Sequence, residues 1–179
     1  VTENGKGTDF ATYTVEIPAS GAEAARRIEY TKRGGKLVYF LTERDVAEKN
    51  LGIEEAAEAG RKFLAKHGFG DMKAVGYDEY DNVASIVYAR TVNGVTIYPE
   101  KTTVKVALDN GEVTGLSAAD ILQSGERRDV GEPGMSAEEA RRFLNPNFRV
   151  EDASLALIRN DMEEEVLCWE FLGGINGGT

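Results

Sequence analysis

The run from Val95 to Ser117, VTIYPEKTTVKVALDNGEVTGLS, constrains this chain more than any other stretch. Val104, Val106 and Leu108 alternate with Lys105, Ala107 and Asp109. A period of two sends successive side chains to opposite faces, so the segment reads as a strand with one buried face. A second apolar run follows the tetrad Asp109-Asn110-Gly111-Glu112. Asn-Gly suits the two left-handed positions of a type I′ turn, which predicts a tight hairpin at Asn110-Gly111. The pattern has an earlier copy: Ile28, Tyr30 and Lys32 lead to Gly34-Gly35, and Lys36-Leu37-Val38-Tyr39-Phe40 follows. Gly35 and Gly111 are 76 residues apart. A chain that repeats one small unit points to a function carried by the array rather than by one reactive centre.

Between the two copies lies the clearest helix, Gly52 to His67. Ile53, Ala56, Ala57, Gly60, Phe63, Leu64 and His67 recur at spacings of three and four and share one face. Gly52 suits the N-cap and Glu54, Glu55 and Glu58 suit the positive end of the helix dipole, with Lys62 and Lys66 at the other end. Gly68 is placed for a left-handed C-cap. Strands are predicted at Ala11 to Ile17, Ala74 to Tyr80 and Val83 to Val92, with turns at Asp81-Asn82 and Asn93-Gly94. Ala19 to Ala25 fits either a loop or a short helical turn. Pro99 predicts a bend or an edge. Thr103 to Leu108 and Glu112 to Leu116 complete this set of strands.

Gln123 to Gly134 is polar and glycine-containing, and reads as a linker. Ser136-Ala137-Glu138-Glu139 is a capping box opening a helix that should carry Ala140, Phe143 and Leu144 inward and stop before Pro146. From Gly52 to Ser136 is 84 residues, and each leads into Glu-Glu-Ala. Val150 to Arg159, a turn near Asn160-Asp161, and Val166 to Leu172 follow. The fold class expected is α+β: tandem units, each an antiparallel sheet of about four strands packed on one helix. Residues 8–47 would be the closing strands of a first unit, 50–122 a complete second unit, 123–134 a linker and 135–179 an incomplete third.

The formal net charge of −10 argues against a surface that tracks nucleic-acid phosphates. The local basic clusters, Arg26-Arg27, Lys32-Arg33, Arg127-Arg128 and Arg141-Arg142, are each no more than a pair, and these read as solvated faces. Cys168 is the single cysteine, so no intramolecular disulfide and no cysteine-based zinc site can form. No run of about 18 apolar residues occurs, so no membrane-spanning helix is expected. The chain opens on a polar tail, VTENGKGTDF, and ends in GGINGGT. Both ends are expected to be cut points of a larger protein, with any membrane anchor outside this sequence.

Residue types also limit the chemistry. His67 is the only histidine, it falls at a helix end, and no G-x-S-x-G elbow accompanies it. Alternation puts Cys168 with Val166 and Glu170, and Leu167, Trp169 and Phe171 on the opposite face. A reactive thiol would need a cation or helix N-terminus that this segment does not supply. The Glu54-Glu55 and Glu138-Glu139 pairs sit in first helical turns, where the dipole explains them. Glu163-Glu164-Glu165 borders a turn, and Asp78, Glu79 and Asp81 surround a hairpin tip without calcium-loop spacing. No phosphate-binding loop or dinucleotide fingerprint is present, and no metal or cofactor is expected. The tyrosines are more suggestive: Tyr77, Tyr80, Tyr88 and Tyr98 fall within one repeat, and tyrosine favours interfaces as well as strands. These four are the candidate partner-binding residues, with strand packing as the plainer reading.

The helix-plus-hairpins unit in tandem resembles the PepSY domain family. Tyr80-Asp81-Asn82-Val83-Ala84, Val95-Thr96-Ile97-Tyr98-Pro99, Val104 to Glu112, Asn145-Pro146-Asn147, Leu155-Ala156-Leu157-Ile158 and Glu165 to Phe171 look like the C-terminal region of spore germination proteins of the YpeB type. The resemblance implies a non-enzymatic module with no catalytic residues to carry over. It implies as partner a spore-cortex-lytic peptidoglycan hydrolase of the SleB type, stabilised and restrained until germination. It also implies an extracytoplasmic place beside the spore inner membrane, with contact to that membrane only through an N-terminal anchor. PepSY units also occur in propeptides, so an inhibitor of a secreted peptidase stays open on the fold alone.

Overall fold

The computed structural model describes residues 1–124 and 129–175. The chain divides into two compact units, Val1–Arg90 with Glu100–Gly125, and Thr91–Pro99 with Glu126–Thr179.

The first unit contains β1 (Thr2–Asn4), β2 (Thr12–Ile17), β3 (Arg26–Thr31), β4 (Leu37–Thr42), α1 (Ile53–Lys66), β5 (Met72–Tyr80), most of β6 (Val83–Val92) and β7 (Val95–Ala107), β8 (Val113–Ser117) and α2 (Ala119–Gln123). Its strands lie in the order β1-β2-β3-β4-β8-β7-β6-β5. The two copies of the repeated pattern are therefore edge-joined, through Phe40↔Leu116 and Tyr39↔Ser117 between β4 and β8. One face of this sheet packs on α1, the α+β arrangement expected.

The helix forms where its sequence places it. The Gly52 N–H donates to Glu55 Oε2 at 3.0 Å. Ala56, Gly60 and Leu64, four apart, are its buried residues. At the other end the Gly68 N–H reaches Ala65 O (3.2 Å) and the Phe69 N–H reaches Leu64 O (3.1 Å), the two bonds of a Schellman cap, with Gly68 at φ +78°. Leu64 packs with Ile86, Tyr88, Val104, Val106, Leu116 and Ile121 in the main core. Complete burial of a leucine side chain contributes about 1.5–3 kcal/mol.

The 76-residue spacing recurs in the backbone bonds. Thr31 N–H donates to Lys36 O and, 76 positions on, Ala107 N–H donates to Glu112 O, both at 2.9 Å. The turn type differs from the one predicted. Of Asn110 and Gly111, only Gly111 takes a positive φ (77°), and the connection is a four-residue loop rather than a type I′ turn. The wider loop lets Leu108 enter the core, where it is 0% exposed, while its carbonyl accepts from the N–H groups of Asn50 and Leu51. Asn110 acts instead through its side chain, whose Oδ1 accepts from the Glu112 N–H at 2.9 Å. The paired left-handed residues are at Asp81-Asn82 (φ 47° and 57°) and Asn93-Gly94 (φ 50° and 81°).

Other expectations need correcting. Thr2–Asn4 is no free tail: it pairs with β2, and Asn4 Nδ2 donates to Thr14 Oγ1 at 2.8 Å. Pro99 does not break its strand, since β7 runs unbroken from Val95 to Ala107. It lies beyond Ile97, the last residue paired with β9 (Phe148–Arg159), and before Thr103, the first paired with β8, so its missing N–H removes no bond from that edge. Ala119–Gln123, to which the sequence pattern assigns no element and whose last residue opens the predicted linker, forms a short helix with Ile121 buried. Ala19 to Ala25 is a loop closed by a Ser20↔Glu23 bridge.

The second unit contains the ends of β6 and β7, the short helix α3 (Ala137–Arg141), β9 and β10 (Glu165–Ile175). The capping box forms as predicted: Ser136 Oγ accepts from the Glu139 N–H, and the Ser136 N–H donates to Glu139 Oε2 at 2.8 Å. The helix does not bury what its pattern suggests. Phe143 is 81% exposed, because the five-residue helix ends before it. β9 and β10 form a long antiparallel hairpin, and β9 also pairs in parallel with β7 through Val95↔Leu155 and Ile97↔Leu157. Val95, Ile97 and Leu157 make a small core with Leu155 and Leu167 packed on it. Arg127-Arg128 lies outside the described residues.

Candidate functional site

The three candidate tyrosines of the first unit do not share one exposed face. Tyr77 opposes Ile86, whose side chain is in the core under α1, whereas Tyr80 opposes Val83 on the other face of the sheet. Tyr77 is 62% exposed and Tyr80 77%. Tyr88 leaves the candidate set: it is 1% exposed, and its hydroxyl donates to the Ala57 carbonyl at 2.7 Å on the helix. A ring used to seal the helix against the sheet presents nothing to a partner. Burial, then the Glu58 charge, pushes its phenol up to about 12. Tyr98 belongs to the second unit, half-buried, with its hydroxyl donating to Glu170 Oε1. Burial and that carboxylate push it to about 12 as well.

The other singled-out side chains have structural roles. His67 caps α1 through its backbone N–H, and its ring lies 4.3 Å from that of Phe63. Burial, then Lys66, lowers its pKa. Cys168 donates to the Ala156 carbonyl at 3.4 Å, and burial followed by Glu170 pushes its thiol up, away from the reactive thiolate. The acidic triplet at the β5–β6 tip is split by strand alternation. Glu79 pairs with Lys49 at 2.7 Å, while Asp78 opposes Ser85 on the reverse face. Among the described residues no three His, Cys, Asp or Glu side chains are placed to hold a metal, and no helix is long and apolar enough to cross a membrane.

The first unit carries a more definite feature on the sheet face away from α1. Leu41, Lys105, Gly115, Val83 and Ser85 point to this face, opposite the core residues Phe40, Val104, Leu116, Ala84 and Ile86 that alternate with them. A groove of about 690 Å³ runs across it. One wall is the 20–25 loop, tied by the Ser20↔Glu23 bridge and by the Glu43 N–H donating to Ala25 O at 3.2 Å. The other is the Tyr80-Asp81 turn. Arg44 fixes the intervening segment: its Nη1 and Nη2 each bond Asp109 at 2.8 Å and its Nε faces Glu112 at 3.0 Å. These pairings raise the Arg44 pKa and hold Asp109 below the usual carboxylate range. Glu23, Glu43, Asp45 and Asp81 line the groove. Sequence reading missed this set because its members come from three separated segments. The sequence groups Asp81 with Asp78 and Glu79, neither of which lines the groove.

The same fold is found in a solved structure. A family model described as YpeB sporulation, PepSY1 and PepSY2 domains matches residues 1–131. The chain belongs to the YpeB family of sporulation proteins. It is 37% identical over 179 residues to sporulation protein YpeB of Halalkalibacterium halodurans, covering all of this chain and 40% of that protein. It is 35% identical over 181 residues to sporulation protein YpeB of Bacillus subtilis, again covering all of this chain and 40% of the relative. The solved Bacillus megaterium YpeB C-terminal domain superposes with a TM-score of 0.89 at 34% identity, over 98% of this chain and 78% of that one. The chain thus spans 40% of the length of these curated relatives. Membership of this family of sporulation proteins bears out the resemblance drawn from the strand segments.

Proposed function

We propose that this chain is a non-enzymatic binding and regulatory module of the germination apparatus. Its partner is a spore-cortex-lytic peptidoglycan hydrolase, which it stabilises and restrains until germination. It works outside the cytoplasmic membrane, beside the spore inner membrane and cortex, in a protein anchored by a segment outside this sequence. Within it, 8–47 are the closing strands of a first PepSY-like unit, 50–122 a complete second, 123–134 a linker and 135–179 an incomplete third. The observation that carries this reading is the alignment of this whole chain with 40% of the length of sporulation proteins. Extended, repeated sheet surface with no activated nucleophile among the described residues suits a protein that binds rather than transforms. Co-purification with a cortex-lytic hydrolase, and slower proteolysis of that hydrolase in its presence, is the expected result. No complex and no protection would sink the proposal, and capture of a peptidase in place of the hydrolase would replace it with the propeptide-like reading.

A further inference from the structure

The groove on the open sheet face of the first unit carries charge that its own residues leave unneutralised. Glu23, Glu43, Asp45 and Asp81 are all exposed at its rim, and none forms an ion pair among the described residues. Arg44, also at the groove, is committed to Asp109 and Glu112. Lys105 supplies the other cation, with its stem laid over Gly115. The balance is negative at the rim, while Leu41 and Val83 give an apolar floor and the ring of Tyr80 an amphipathic wall. The walls are already pinned by backbone bonds, so an occupant need not order them.

An extended peptide lying along such a face presents alternate side chains to floor and rim. Apolar residues would meet Leu41 and Val83, and cationic ones the carboxylates. We propose that this groove docks an extended segment of a partner protein in which lysine or arginine alternates with apolar residues. The net charge of −10 on the whole chain adds long-range attraction for such a segment. The inference rests on the reading of the chain as a binding module.

Fluorescence anisotropy with a short labelled peptide alternating lysine and leucine tests this, beside the same peptide with glutamate for lysine. The lysine peptide is expected to bind the whole chain, more weakly as salt is raised, and the glutamate peptide not to bind. A variant combining Glu23→Gln, Glu43→Gln and Asp81→Asn should bind about tenfold more weakly, the sum of three modest exposed pairings. A control combining Glu54→Gln, Asp120→Asn and Glu132→Gln changes net charge equally outside the groove and should stay within about twofold of wild type. No binding of the lysine peptide, equal binding of both peptides, or equal loss in the control variant overturns the proposal. So does a calorimetric titration with calcium chloride alone whose heat vanishes in the groove variant, which would make the carboxylates a cation site. The peptide assay omits the hydrolase, so a chain that binds the lysine peptide yet captures no hydrolase would fault the partner assignment while supporting the groove.

Discussion

Gly60 faces the ring of Tyr88 across the α1–sheet interface, and replacing it with alanine sets helix propensity against packing. In a helix interior, alanine is favoured over glycine by about 0.8–1.0 kcal/mol. A Cβ at position 60 would meet Tyr88 Oη at 2.3 Å and Cζ at 3.1 Å. The ring must withdraw, at an overpacking cost of about 1–3 kcal/mol. Withdrawal also breaks the 2.7 Å bond from the Tyr88 hydroxyl to Ala57 O. A buried hydroxyl left without a partner costs about 1–3 kcal/mol. Gly60→Ala is therefore expected to destabilise the first unit by about 1–5 kcal/mol, the propensity gain deducted. Tyr88→Phe alone loses one hydrogen bond, about 1 kcal/mol. In the double variant the closest clashing atom is gone, so its cost should fall short of the sum by at least about 1 kcal/mol. Urea unfolding followed by far-ultraviolet circular dichroism reads this, since α1 is the longest described helix. A Gly60→Ala chain as stable as wild type, or an additive cycle, would refute the reasoning.

Gly173→Ala should weaken the second unit by more than about 2 kcal/mol, because the added Cβ would lie 1.9 Å from the Arg149 carbonyl oxygen at the bulge between Leu172 and Gly173. Fluorescence of Trp169, whose Nε1 donates to Met135 O at 2.9 Å, reports on that unit, and an unchanged unfolding midpoint would contradict the prediction. Alkaline stability gives a third check. Tyr88 and Tyr98 have folded pKa values raised from 10.0 to about 12, so the unfolded chain releases their protons first. Their stabilising contribution is complete below pH 10 and is lost as the pH rises towards about 12. Melting temperature should fall across that window, less steeply in Tyr98→Phe; a fall that is identical in the variant would remove Tyr98 from the account.

The elements that sequence reading placed well are those where local chemistry and tertiary packing agree. Gly52, Glu55 and Gly68 cap α1 as their types suggest, and the Ala56–Gly60–Leu64 stripe is the buried one. Agreement failed where a distant partner decides. Asn110-Gly111 has the local signature of a tight turn, but Leu108 and Asp109 are claimed by the core and by Arg44, and the loop widens to deliver them. Phe143 continues an amphipathic pattern that the short α3 does not sustain. Pro99 signals a break only if its N–H were needed for pairing. The groove was illegible for a related reason: strand pairing brings the loop carrying Glu23, the segment after β4 carrying Glu43 and the turn carrying Asp81 around one sheet face, and that pairing is fixed by neighbours far along the chain.

The parallel ladder between β7 and β9 sets a timetable for synthesis. Val95 and Leu155, its first paired residues, are 60 positions apart in sequence. At about 5–20 residues per second, the partner of Val95 leaves the ribosome roughly 3–12 s later. Over that interval Val95, Thr96 and Ile97, all buried in the finished protein, wait with one strand edge unpaired. The β9–β10 hairpin is local and closes within microseconds once made. The window of exposure is therefore governed by translation speed rather than by folding speed, and slowing elongation between the codons for Ile97 and Leu157 should raise the fraction of chains lost to aggregation.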